Sequence, residues 1–216
     1  MKLNTQVGRL SKPVISIFTS MMNIRSIGVY CGSSPGIHPV YRETAIQLAI
    51  LLADNNIRLI NGGGSIGLMG IMADAILAKG GQCTGVIPIG LQEKELAHTG
   101  MTDLIVVPDM HSRKLTIVNL SDAFIGLPGG FGTMDEVFET LTWSQLHLQH
   151  KPVTLFNPNG YYDHLLAMAD LMVKEGFLNI SSRSLLMSTD RIENLLPSLM
   201  NFTASSTEKW TPSPDR

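Results

Sequence analysis

Short hydrophobic runs rich in β-branched residues alternate along this chain with longer segments in which apolar residues recur every three or four positions. The short runs predict strands at Ser26–Cys31, Ile57–Asn61, Thr84–Ile87, Leu104–Val107, Ala123–Leu127 and Val153–Phe156. The longer segments predict helices at Val40–Ala53, Leu68–Ala78, Arg113–Leu120, Met134–Leu146 and Tyr161–Glu175. Alternation of this kind indicates βαβ units and a parallel sheet.

No internal repeat or linker interrupts this pattern between Ile24 and Phe202. We therefore expect one doubly wound α/β domain over residues 24–202, Rossmann-like, with a mostly parallel sheet and helices on both faces. Residues 1–23 are predicted to be a loose N-terminal extension, and residues 203–216 a disordered polar tail.

The composition of the chain narrows the classes of ligand and partner that it can be expected to bind. The 216-residue chain has a formal charge of −2 and a pI near 6.3, which argues against general nucleic-acid binding but permits a small anionic ligand. Its apolar stretches are shorter than the ~20 residues that a membrane helix needs, so no membrane partner is expected. Cys31 and Cys83 lie in apolar runs and predict free thiols in a reducing, cytoplasmic compartment. The six histidines show no metal-binding spacing, and no metal site is predicted.

Three loops that follow predicted strands carry the candidate chemistry: Cys31–Ser34, Gly62–Gly67 and Pro128–Thr133. The carboxyl ends of parallel strands meet at one edge of a sheet, so these loops should gather there. Glycine before a helix lets the backbone approach a ligand, and the free N–H groups at the start of that helix attract anions. One such loop has an ordinary structural explanation, but two in one chain favour phosphate binding.

Two other interpretations of these residues stay open: a purely structural role and a dinucleotide-binding site. Gly62, Gly64 and Gly67 match G-x-G-x-x-G, yet the next predicted strand does not end in the acidic residue that a dinucleotide site requires. Thr133 and Glu136 have the spacing of a capping box, which alone would explain both residues. Capping does not explain why a carboxylate pair should lie beside a phosphate-binding loop.

Four motifs together resemble the LOG family, whose relatives have also carried the label lysine decarboxylase. These motifs are GGGSIGLMG (Gly62–Gly70), MHSRK (Met110–Lys114), PGGFGTMDE (Pro128–Glu136) and LTWSQL (Leu141–Leu146). The resemblance extends over roughly Ile24 to Ile192. It implies a phosphoribohydrolase that cleaves N6-modified AMP, or AMP in many bacterial relatives, into the free base and ribose 5-phosphate. It also implies a homodimer with its site near the interface, and no cofactor.

When the family's residue roles are transferred position by position, the resemblance implies that Arg113 and Glu136 are the catalytic pair. The full set predicted to contact the substrate is Ser33, Gly63, Gly64, Gly67, Met69, Glu95, Lys114, Gly130, Phe131, Gly132, Thr133, Met134, Asp135 and Thr142. Asp135 stands where the plant members more often have Glu. The segment around Glu95 departs from the usual family sequence.

Cleavage of a base from ribose develops positive charge on the sugar and negative charge on the base. Glu136 is suited to stabilise the sugar cation, hold the ribose hydroxyls or activate water. Arg113 is suited to bind phosphate bidentately or to stabilise the departing base, and the sequence does not decide between these two roles.

The sequence is also compatible in part with two other functions. A non-enzymatic carrier of a nucleotide or cofactor is the main alternative, because fold alone does not distinguish a carrier from an enzyme. Decarboxylation through pyridoxal phosphate is disfavoured, because Lys114 adjoins Arg113 in an arrangement better suited to phosphate than to an imine.

Overall fold

The computed structural model describes residues 22–92 and 97–203. Within these ranges the strands are β1 (Ser26–Tyr30), β2 (Arg58–Asn61), β3 (Cys83–Pro88), β4 (Asp103–Val107), β5 (Ala123–Gly126), β6 (Val153–Phe156) and β7 (Leu186–Thr189). The α-helices are α1 (Pro39–Asp54), α2 (Gly67–Ala78), α3 (Met110–Leu120), α4 (Phe131–Gln145), α5 (Asp163–Lys174), α6 (Ile180–Arg183) and α7 (Leu195–Met200). The predicted N-terminal extension and polar tail fall, apart from Met22, Asn23 and Thr203, outside the described residues.

The described strands form one sheet in the order β4-β3-β2-β1-β5-β6-β7, and every neighbouring pair is parallel. The strand order reverses between β1 and β5. In a sheet of this kind ligands bind at the carboxyl ends of the strands on either side of the reversal. The predicted doubly wound α/β fold is confirmed, and its switch point lies where β1 meets β5.

Alternate residues of the central strands enter separate cores on the two faces of the sheet. Ile27 and Val29 of β1 pack in one core with α1, α2 and α7, whereas Tyr30 packs in the other with α3, α4 and α5. Ile125 and Phe124 of β5 divide in the same way. This two-residue period is the consequence of a pleated strand covered on both faces.

Two helices, α3 and α4, begin three residues earlier than the hydrophobic pattern predicts. Asp109 caps α3, since its side chain accepts a hydrogen bond from the Ser112 N–H at 2.8 Å, and α3 therefore starts at Met110. Gly130 occupies the cap position of α4, which starts at Phe131. β7, α6 and α7 were not predicted. None of the described helices has the length and apolar character needed to cross a membrane.

Candidate active site

A cavity of about 290 Å³ opens at the switch point, between the carboxyl end of β1 and the first residues of α3 and α4. Nine of the residues predicted from sequence line it. These are Ser33, Met69, Arg113, Gly130, Phe131, Gly132, Thr133, Asp135 and Glu136. Both members of the predicted catalytic pair therefore line one cavity, although they come from different helices.

The start of α4 forms one wall of the cavity. A Cβ atom added at Gly130 or Gly132 would meet nothing within 4 Å, so the backbone of this first turn is open to a ligand. The first N–H groups of a helix have no partner inside the helix and attract anions. This geometry suits a phosphate.

Thr133 does not cap α4. The predicted capping box is wrong, because the glycines let the helix begin at Phe131 and Thr133 is already in its first turn. The Thr133 side chain is buried against Gly129, where an added Cβ would overlap Thr133 Oγ1. The conformation of the loop thus depends on Gly129, while Gly130 and Gly132 leave room for a ligand.

Arg113 is 5% exposed and is fixed in the cavity wall. Its Nε donates to the carbonyl of Val86 at 3.0 Å, and its Nη2 donates to the carbonyl of Gly62 at 2.7 Å. A side chain at Gly62 would overlap the guanidinium group. The end of β3 and the loop after β2 therefore hold this permanent positive charge beside the start of α4.

Glu136 lines the same cavity from the second turn of α4, and its backbone carbonyl is linked to β1 through hydrogen bonds of Thr140. Thr140 Oγ1 donates to the Glu136 carbonyl at 2.8 Å and lies 3.0 Å from the Tyr30 hydroxyl. Because threonine has a single hydroxyl proton, Tyr30 is the donor to Thr140. Burial raises the pKa of Tyr30 well above its ordinary value, which keeps this donor protonated.

Cys31 also reaches the cavity wall. Burial raises the pKa of its thiol strongly, the negative charge of Glu136 raises it further, and Arg113 opposes the shift. The thiol therefore stays neutral, and Cys31 is unsuited to act as a nucleophile.

Lys114 does not line the cavity. Its Nζ lies 2.7 Å from Asp135 Oδ2 and 3.4 Å from Glu139 Oε2, so it joins α3 to α4. Burial by itself lowers the pKa of Lys114, but the hydrogen bond to Asp135 and the charge of Glu139 raise the pKa above its ordinary value overall. Lys114 is therefore a charged link between the two helices.

The glycine loop after β2 is packed against protein atoms. Gly67 leaves no room for a side chain because the backbone of Ser33 lies against it, and the Gly63 N–H donates to Asn61 Oδ1 at 2.9 Å. Gly63, Gly64 and Gly67 do not line the cavity, whereas Gly62 does. This loop shapes the wall and supplies the carbonyl that holds Arg113.

Three other predicted residues have different surroundings. Met134 does not line the cavity, and Glu95 lies outside the described residues. Thr142 is exposed, its hydroxyl donates to the Phe138 carbonyl at 2.7 Å, and it borders a separate cavity of about 160 Å³ between α4, α5 and α6.

Six further residues of the cavity wall were not among the predicted site residues, although Cys31 and Gly62 lie in two of the loops predicted to gather there. They are Val29, Tyr30, Cys31, Gly62, Leu91 and Met110. Val29, Tyr30 and Cys31 are the last three residues of the first predicted strand, and Met110 begins the MHSRK motif, so their positions at the sheet edge were an available signal. Nothing in the sequence marks Leu91.

The site thus combines a carboxylate, a guanidinium group and an open helix N-terminus in a space near the lower limit of ligand pockets, about 300 Å³. Among residues 22–92 and 97–203, no group of three or more His, Cys, Asp or Glu is placed to hold a metal ion. The doubly wound sheet with an open helix N-terminus at its switch point places this chain in the Rossmann-like class of α/β proteins, in which ligands bind at that position.

Comparison with known proteins gives the family. Residues 69–199 match a family model described as "Possible lysine decarboxylase". A probable cytokinin riboside 5′-monophosphate phosphoribohydrolase of Oryza sativa subsp. japonica is 43% identical over 82% of this chain and 72% of its own length. A cytokinin riboside 5′-monophosphate phosphoribohydrolase of Arabidopsis thaliana is 42% identical over 82% of this chain and 84% of its own length. The chain belongs to this family, the LOG family.

Solved structures agree with the fold. The molybdenum cofactor binding protein of Rippkaea orientalis superposes with a TM-score of 0.60 at 23% identity, over 82% of this chain and 96% of that one. The Moco carrier protein of Chlamydomonas reinhardtii gives a TM-score of 0.60 at 19% identity, over 82% and 95%. At these identities the likeness concerns the fold.

Proposed function

We propose that this protein hydrolyses the N-glycosidic bond of a purine nucleoside 5′-monophosphate, with adenine or an N6-modified adenine as the base. The products are the free base and ribose 5-phosphate. The observation that carries the proposal is that Arg113 and Glu136 face one cavity whose wall includes the open first turn of α4. The names of the plant relatives support the same reaction.

In the proposed complex the 5′-phosphate accepts hydrogen bonds from the backbone at Gly130–Thr133. Its charge is favoured there by the dipole of α4. This anchor directs the sugar towards Glu136 and Arg113, which line the same cavity. Ser33 and Met69, on the remaining wall, contact the sugar and the base.

In the reaction, the C1′–N bond breaks with its electron pair going to the base, and water oxygen forms a new bond to C1′. The water gives up one proton, and the departing base takes up one, so the charges balance. Glu136 stabilises the cationic sugar and accepts the proton of the attacking water, and this proton then passes through solvent to the departing base, which regenerates the carboxylate. Arg113 stabilises negative charge on the phosphate or on the base.

The direct test is to incubate the purified protein with AMP and with isopentenyladenosine monophosphate and to separate the products by chromatography. We expect free base and ribose 5-phosphate in equal amounts, and the faster substrate identifies the preferred base. Tight binding of unchanged nucleotide would instead identify a carrier, and formation of cadaverine from lysine would identify a decarboxylase.

We further propose that the active form is a homodimer. Thr142, which the family resemblance assigns to ligand contact, lies six residues beyond Glu136 on α4, roughly 9 Å further along the helix. Phe138 on the same helix and Leu146, which directly follows the helix, are exposed. These positions favour a second copy whose Thr142 completes the site. We also assign the protein to the cytoplasm, in keeping with its two free cysteines.

A further inference from the structure

Two ion pairs connect the helices that carry the candidate catalytic residues. Lys114 follows Arg113 on α3, and Asp135 precedes Glu136 on α4. Successive helix residues point about 100° apart, so Arg113 faces the cavity while Lys114 is turned towards α4. Lys114 Nζ contacts Asp135 Oδ2 at 2.7 Å and Glu139 Oε2 at 3.4 Å. The link therefore joins the residues next to Arg113 and Glu136.

We propose that Lys114 is a positioning residue, which sets the separation of Arg113 and Glu136 through its ion pairs with Asp135 and Glu139 and does not bind the substrate. This inference rests on the proposed hydrolase function for its kinetic consequences. Its structural content, the placement of α3 against α4, does not depend on that function.

The surroundings of Lys114 favour positioning over ligand binding. Its side chain is only 13% exposed, and its ammonium group is occupied by two carboxylates. A lysine that binds phosphate would be expected to present its charge to the cavity, and Lys114 does not line it. Because Asp135 is largely exposed, these pairs add little to the free energy of folding. The ion pairs instead act on the distance between the two catalytic residues. Catalytic rates are sensitive to displacements of about 1 Å.

The first experiment compares kcat and KM for AMP between the wild type and Lys114→Met. We expect kcat to fall about 10- to 100-fold with KM changed less than about threefold. A phosphate ligand would show the opposite pattern, a raised KM. Lys114→Arg should recover much of kcat. Lys79→Met is the matched control, because it removes a lysine that pairs with Asp54 at 3.4 Å and does not line the cavity.

A charge exchange separates the two roles more sharply. Lys114→Glu alone should lose activity at least as strongly as Lys114→Met. Adding Glu139→Lys restores one lysine between two carboxylates, now at positions 114 and 135, and Glu139 does not line the cavity. We expect the double variant to regain at least tenfold in kcat over Lys114→Glu. A double variant no better than the single one would overturn the inference.

Crystal structures of the wild type and Lys114→Met provide a readout that is independent of turnover. We expect the distance between Arg113 Cζ and Glu136 Cδ to change by about 1 Å or more. An unchanged distance would overturn the inference whether or not the protein hydrolyses AMP. If the wild type releases no base but this distance shifts in the variant, the proposed function fails and the positioning role stands.

Discussion

At the scale of single residues, neighbouring glycines of one motif serve different purposes. A side chain at Gly129 would overlap Thr133 Oγ1 and lie 2.8 Å from the Gly32 nitrogen, so this glycine is required by packing. At Gly132 an added Cβ would meet nothing, and the position lies inside α4 and on the cavity wall. The sequence motif alone does not separate the two.

This difference can be measured with paired alanine variants. Gly132→Ala should leave the free energy of unfolding unchanged or raise it by up to ~1 kcal/mol, because alanine is the better helix former. Its methyl group should nevertheless obstruct the phosphate and raise KM for AMP at least tenfold. Gly129→Ala should lower the free energy of unfolding by about 1–3 kcal/mol. Urea denaturation and steady-state kinetics test both variants, and an unaltered KM in folded Gly132→Ala would argue against a phosphate at this turn.

Glu136 offers the most direct chemical prediction. Glu136→Gln preserves the size of the side chain but removes its charge, so base release from AMP should fall by about 10²-fold or more. The melting temperature should stay close to that of the wild type. Chromatographic assay of free adenine checks the loss, with Glu43→Gln, an exposed residue of α1, as the matched control. Full activity in Glu136→Gln would exclude the proposed mechanism.

The meeting of Arg113 and Glu136 in one cavity could be predicted from their motifs, because both motifs lie at the carboxyl edge of a parallel sheet. The partners of each residue could not. The carbonyls of Gly62 and Val86 that hold Arg113 belong to distant parts of the chain, and backbone acceptors leave no trace in side-chain identity. The hydrogen bond from Tyr30 to Thr140 likewise depends on how β1 faces α4.

At the scale of elements, helix starts were the least predictable feature. The hydrophobic repeat of about 3.6 residues marks only the part of a helix that packs against the core. For this reason α3 and α4 each begin three residues before the predicted start. Those first turns are polar or glycine-rich, and they are the turns that reach the cavity. β7 was missed because only one of its four residues, Leu186, is buried, and its sequence LMST shows no alternation of apolar and polar residues. The central strands, which are covered on both faces, were predicted to within about two residues.

The cap of α3 leads to a prediction for acid stability. Hydrogen bonds from Ser112 lower the pKa of Asp109 in the folded protein. The lowered folded-state pKa means that the stabilisation is complete above the ordinary carboxyl pKa of ~4 and is lost as pH falls through the folded-state value. Asp109→Asn keeps an acceptor but does not titrate. Its deficit in melting temperature relative to the wild type should therefore shrink between pH 5 and pH 3.

Asp109→Ala serves as the second member of this pair. It removes the cap at every pH, so its melting temperature at pH 7 should lie below that of Asp109→Asn. Equal melting temperatures for the two variants at pH 7 would show that the Ser112 hydrogen bond does not stabilise α3.

At the scale of the whole molecule, the doubly wound topology places α3 and α4 on the same face of the sheet with their first residues at the switch point. The cavity therefore lies at one end of α4 and Thr142 towards the other, beside a different cavity bordered by α5 and α6. A single chain of this shape does not bring Thr142 to the proposed nucleotide. In a twofold dimer, however, each copy can present its Thr142 to the site of the other.

Mixed dimers test this arrangement. Glu136→Gln and Thr142→Trp should each be inactive alone, the second because a bulky side chain fills the place of a ligand contact. If Thr142 acts on the partner's site, a hybrid of the two variants contains one site with both defects and one with neither. Random mixing makes half of the dimers hybrids, so about one quarter of wild-type activity should return. Light scattering establishes that the mixed species is a dimer, and no recovery in proven hybrids would assign Thr142 to the site of its own chain.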